Sequence, residues 1–153
     1  MALYAVDLTR SSLTTTEAMG QIQATLTNPR RLAPQQAYFG CLTSGADETF
    51  ATLLGFITAG APTGGTAVVP APTQGDPASF FDGTEGAITV DSTQGNDLAR
   101  IPHHRRSTPT WSADPGKEPI SPATDNNGFG IYTPTAPTVA AGLTWSFTSV
   151  NEL

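Results

Sequence analysis

Alternation, not a helical period, organises this chain. In Leu143-Thr-Trp-Ser-Phe-Thr-Ser-Val150, Leu143, Trp145 and Phe147 fall on one side of an extended backbone, and Thr144, Ser146 and Thr148 on the other. That pattern predicts a half-buried strand. Gly20–Leu26 repeats it, with Ile22, Ala24 and Leu26 inward, and Tyr4, Val6 and Leu8 alternate with Leu3, Ala5 and Asp7. Two fuller apolar runs, Gln36–Thr43 and Thr49–Thr58, predict strands covered on both faces or nearly so, with Gly45-Ala-Asp-Glu48 between them as a hairpin connection. Gly40 and Gly55 fall mid-strand, where glycine marks a bulge or a close backbone approach. Shorter strands are expected at Thr66–Val69, Ala87–Asp91, Thr108–Ser112 and Gly128–Thr133. Helix is confined to single turns at Thr15–Met19 and at Ala78–Phe81, the latter capped by Asp76 with Pro77 at its first position.

About eight or nine short strands without long helices make an antiparallel sandwich or barrel. The Cys…Trp…Cys spacing of an immunoglobulin domain is absent, so a jelly roll is the expected all-β fold. Long Pro/Gly-rich loops occupy Ala59–Gly65, Pro70–Pro77 and Pro115–Asn127, and Asp125-Asn-Asn-Gly128 is a turn signal. Neither an internal repeat nor a break in composition divides residues 1–153, which read as one domain.

Composition adds that the core is thin. Leu, Ile, Val and Phe together supply 30 of 153 residues, against 24 Thr, 20 Ala, 15 Gly and 13 Pro. Only 13% of the chain is charged, so charge repulsion does not prevent collapse. A thin core gains from oligomerisation, and closed cyclic symmetry is the usual form. The net charge of −6 argues against nucleic-acid binding by the whole domain, which needs clustered cations. Cys41 is alone and cannot form an internal disulfide; its place in an apolar run predicts a small buried hydrophobe. The N-terminus lacks the basic and apolar regions of a signal peptide, and no apolar stretch is long enough to span a membrane. The expectation is a chain made in a cytoplasm and soluble there.

Catalytic chemistry finds little support. No G-x-S-x-G elbow and no phosphate-cradling loop with its lysine occur. His103 and His104 are adjacent, so on a strand they point to opposite faces and cannot easily chelate one ion. Asp91–Asp97 is rich in oxygen ligands but lacks the glutamate that closes a calcium loop. The chain is therefore read as a non-enzyme without a cofactor. The one chemical concentration is Arg100-Ile-Pro-His-His-Arg-Arg106, which holds three of the seven cationic residues and both histidines. Two readings stand side by side: a solvated loop, or a contact from Arg100, His103, His104, Arg105 and Arg106 to carboxylates of a neighbouring subunit or partner. Trp145 lies on an inward face and reads as core. Trp111 reads as core or interface, with a sugar-stacking platform as the alternative.

The order of segments resembles that of the small jelly-roll capsid decoration (cement) proteins of tailed bacteriophages. The resemblance is carried by an opening strand Leu3–Val6, then Gln36–Thr43, then Ala51–Ile57. A Gln-Gly-Asp-Pro-Ala turn at Gln74–Ala78, Pro-Thr-Trp at Pro109–Trp111, Gly-Phe-Gly-Ile at Gly128–Ile131 and a final strand Thr144–Thr148 follow. It runs through nearly the whole chain, with departures at Ile101–Arg106 and Pro115–Pro122. It implies a homotrimer bound to the major capsid protein on the virion exterior. The alternative is a carbohydrate- or receptor-binding module of a phage fibre or spike, which would need an exposed flat aromatic. The exposure of Trp111 separates the two.

Overall fold

The computed structural model describes residues 2–10, 18–42, 47–90, 92–134 and 142–153. Among them there is no helix. Eleven strands run in chain order as β1 (Ala2–Arg10), β2 (Ala18–Ala24), β3 (Leu32–Cys41), β4 (Thr49–Ala59), β5 (Thr63–Val68), β6 (Ala71–Pro72), β7 (Phe81–Val90), β8 (Thr93–His104), β9 (Thr110–Ser112), β10 (Gly128–Tyr132) and β11 (Leu143–Glu152). They form two antiparallel sheets. Sheet A has the order β6-β1-β11-β3-β9 and sheet B the order β5-β7-β2-β10-β4-β8. The fold is an all-β sandwich.

The alternation in the sequence sets what lies between the sheets. Tyr4, Val6 and Leu8 of β1, Ala37 and Phe39 of β3, and Leu143, Trp145, Phe147 and Val150 of β11 face inward from sheet A. Ile22, Phe50, Leu54, Phe81, Ile101, Phe129 and Ile131 meet them from sheet B. Each large side chain so buried contributes about 1.5–3 kcal/mol. Tyr4 and Phe81 meet edge-to-face across the gap, their centroids 5.4 Å apart at 86°. Gly20 is fixed by this core, because a side chain there would run into the Trp145 ring.

Sheet B is also covered on its outer side. β7 pairs with β2 only through Phe81–Glu85. Gly86, at φ 82°, turns the strand, and its second half runs with β5 toward Thr63. β7 and β8 stand on opposite sides of β2, β10 and β4, yet only Asp91 and Ser92 join them. The second half of β7 accordingly lies over the outer face, where Ile88 meets β4 and β10 and Ser92 meets β2. Beneath it Leu53, Ile57, Ile88 and Tyr132 form a second small apolar cluster. Beside that cluster lies a buried polar layer: Gln21 and Gln23 donate to Ser92 Oγ at 3.0 and 3.2 Å, and Gln23 also donates to the carbonyls of Gly60 and Asn126. This second layer is why β4 is buried on both faces, as its continuous apolar run predicts.

Four expectations are corrected. β3 and β4 do not form a hairpin; they lie in different sheets, so the connection between them passes from one sheet to the other. Leu26 is not inward: β2 ends at Ala24 and Leu26 is 78% exposed. Ala78–Phe81 forms no helical turn, since the chain is irregular until β7 begins at Phe81. Thr93–His104, where no strand is expected and Arg100–Arg106 stands as either a solvated loop or a contact, is the longest strand among the described residues, held along β4 by main-chain pairing that its charged and proline residues do not prevent. Its register with β4 shifts at Gly55, the mid-strand glycine expected to mark a bulge. Of the other helical turn, residues 15–17 lie outside the described set, and Ala18 and Met19 belong to β2.

Candidate functional site

The basic segment begins on β8 and ends in a tight turn. Arg100 is exposed on this edge strand, opposite Leu53 of β4. The backbones of His103 and His104 pair with Phe50 and Thr49. Beyond the strand, Ser107 closes the turn: its N–H and Oγ donate to His104 O at 2.9 and 2.8 Å. Strand pairing thus sets the turn beside Asp47 and Glu48, which lead into β4.

Those two acids take up the basic side chains. Arg105 Nη2 lies 3.0 Å from Glu48 Oε2, with the Arg105 side chain 1% and the Glu48 side chain 19% exposed. The Arg105 N–H donates to Glu48 O at 3.2 Å, so backbone and side chain are tied together. His104 Nε2 lies 2.8 Å from Asp47 Oδ1, and Arg106 Nε lies 3.9 Å from the same oxygen. His104 Nδ1 accepts from the Arg106 N–H at 3.2 Å. Both ring nitrogens of His104 are thus engaged, Nδ1 by the Arg106 N–H and Nε2 by the Asp47 carboxylate. The Ser107 hydroxyl is engaged by the His104 backbone, donating to its carbonyl and accepting from its N–H. The arrangement closes a turn with its charges balanced. Cys41, at the end of β3, lies within the field of Arg105; burial pushes its thiol up and Arg105 partly offsets this.

The expected site residues do not converge. Arg105, His104 and Arg106 are gathered by the Asp47–Glu48 pair, while Arg100 stands apart along β8. Trp111 lies in the other sheet, on β9 opposite Ala37, where it is half-buried and packs against the main core. Thr93–Asp97, part of the oxygen-rich stretch, is strand, and Gln94 Nε2 donates to Asp97 Oδ1 at 3.0 Å. Among the described residues no three His, Cys, Asp or Glu cluster as a metal site.

The opposite end of the sandwich has a different character. Thr25 N donates to Phe80 O, and the Arg30 guanidinium sits 5.4 Å over the Phe80 ring. Phe80 N donates to Glu152 Oε1, Leu153 N to Arg31 O, and Ser121 N to Leu32 O. These bonds bring Leu26, Phe80, Ile120 and Leu153 to one end, all exposed, with Arg30 and Arg31 among them. An open cleft lies there between Arg31, Ile120, Ser121 and Pro122.

No protein-family model, curated protein or solved structure matches the chain.

Sequence reasoning missed Asp47 and Glu48 as the partners of the basic segment. The available signal was charge: the pair stands immediately before a strand, and the cations stand at the end of another. Antiparallel pairing of those strands makes the two sets neighbours. The apolar end was missed because its four residues come from four separate segments and each looks ordinary alone.

Proposed function

We propose that this protein is a virion structural protein: a capsid decoration protein, built as one jelly roll, assembling as a homotrimer and binding the major capsid protein on the outside of a tailed-phage capsid. The observation that carries the reading is the strand order. Without the inserted β5, β6 and β7, the sheets read β1-β11-β3-β9 and β2-β10-β4-β8. Successive strands alternate between the sheets except where the insertion intervenes, as two interleaved Greek keys require. The segments that carry the family resemblance lie on this frame in sequence, on β1, β3, β4, β9, β10 and β11. The insertion and the departures at 101–106 and 115–122 are where this chain would differ from its relatives.

The fibre-module alternative rests on an exposed aromatic platform. Trp111 packs against the core, which disfavours that reading. The experiment is occupancy on purified capsids lacking the protein, with copy number from quantitative mass spectrometry. Saturable binding at an integral number of trimers per capsid is expected. Absence of binding to the shell, with retention of binding to host glycans, would overturn the reading.

A further inference from the structure

We infer that the apolar end of the sandwich is the subunit interface, and that its occupant is a second copy of this chain; the inference rests on the homotrimer reading and adds the surface to it. Two observations converge on this end. Leu26 is 78% exposed and Ile120 47%, and Phe80 and Leu153 join them through the main-chain bonds just described. Apolar side chains gathered from four segments make a patch, not the scattered exposure normal for a surface. The patch also carries Arg30 and Arg31, which are exposed and have no carboxylate partner among the described residues.

Charge selects the occupant. The chain carries −6 overall. Of the other cations, Arg105, Arg106 and Lys117 are matched by Glu48, Asp47 and Asp114, and Arg100 is exposed singly on the β8 edge. Arg30 and Arg31 stand together, an adjacent positive pair on an acidic molecule. A further copy, carrying the same net charge of −6, supplies the complementary excess of carboxylate. Contact of unlike charge at this end also offsets the repulsion between two acidic bodies. Arginine with an apolar and aromatic surround is the composition that dominates interface energetics.

The test is sedimentation equilibrium of the full chain and of four surface variants: L26E/I120E, R30E/R31E, and the controls L42E and R100E. Leu42 is 54% exposed at the opposite end, and Arg100 lies on the β8 edge. Wild type and both controls should sediment at three times 15.9 kDa. Both patch variants should weaken association by at least about thirty-fold, the scale of a lost interface hot spot. Far-UV circular dichroism checks that each variant is folded, and the two patch variants act independently if one does not fold. A monomeric wild type overturns the trimer and this surface together. A trimeric wild type with trimeric patch variants overturns the surface alone and leaves the trimer standing. Patch variants that stay trimeric but lose capsid occupancy also overturn it, because the end then faces the shell.

Discussion

Arg105 and Arg106 are neighbours in sequence, yet removing their partners should have very different consequences. Glu48→Ala withdraws the carboxylate from a guanidinium that is 1% exposed. Breaking a fully buried ion pair from one side costs about 3–5 kcal/mol, because the remaining charge stays desolvated. Glu48 is itself 19% exposed, so water reaches its position and the lower figure of about 2–3 kcal/mol applies. For a chain of this length each kcal/mol moves Tm by about 2–4 °C, giving a fall of roughly 4–12 °C. Arg106→Ala removes a 3.9 Å pair whose side chains are 67% and 74% exposed. It should lie within about 0.5 kcal/mol of wild type. The assay is urea unfolding followed by tryptophan fluorescence, at two ionic strengths. The Glu48→Ala loss should persist at high salt, since a buried pair is little screened. A double-mutant cycle of Glu48→Gln with Arg105→Met should return at least about 1 kcal/mol of coupling. A Glu48→Ala variant within about 0.5 kcal/mol of wild type, or an Arg106→Ala variant equally destabilised, refutes the assignment of the two arginines.

Burial and then the carboxylates of Glu152 and Asp76 hold the Tyr4 phenol above its ordinary range. A raised folded-state value makes its contribution complete below about pH 10, the unfolded value, and lost as pH rises toward the folded one. Urea unfolding between pH 8 and 11 should show that decline, and Tyr4→Phe should flatten it. Gly130→Ala places a methyl 2.5 Å from the Tyr132 hydroxyl and 2.7 Å from its ring, so the buried ring must shift, costing about 1–3 kcal/mol by equilibrium unfolding. Ile57→Ala, in the outer cluster, should cost about 2–4 kcal/mol; a loss under about 1 kcal/mol would mean the cluster is not a packed layer.

The strands easiest to read were those with one wet and one dry face. Tyr4, Val6 and Leu8 of β1 and Leu143, Trp145 and Phe147 of β11 alternate with smaller or polar residues, and the structure buries all six. β8 was illegible for the opposite reason. Pro102, Gly95, two histidines and Arg100 give it no period, and it is a strand because β4 offers it an unpaired edge. The link between β3 and β4 shows a different limit. A short polar connection between two extended runs serves a hairpin or a crossing between sheets equally well, and the choice depends on β11 and β10 claiming the neighbouring positions. At the candidate site the sequence held the unusual composition of 100–106 but not its neutralisation. Glu48 is 57 residues from Arg105, and only the β4–β8 register joins them.

The centre of sheet A has a consequence for how the chain acquires its shape during synthesis. β1 and β3 do not pair with each other; each pairs with β11. Thr144 Oγ1 donates to Leu8 O across 136 residues of sequence. At roughly 5–20 residues per second, β1 waits on the order of ten seconds on the ribosome for its partner. Until β11 emerges, β1 and β3 present open edges to any other extended segment, including the same strands on neighbouring nascent chains. Closure of this sheet therefore waits until residues 143–152 have left the ribosome. A chain stopped before Leu143 would carry two apolar strands with no shared neighbour to hold them.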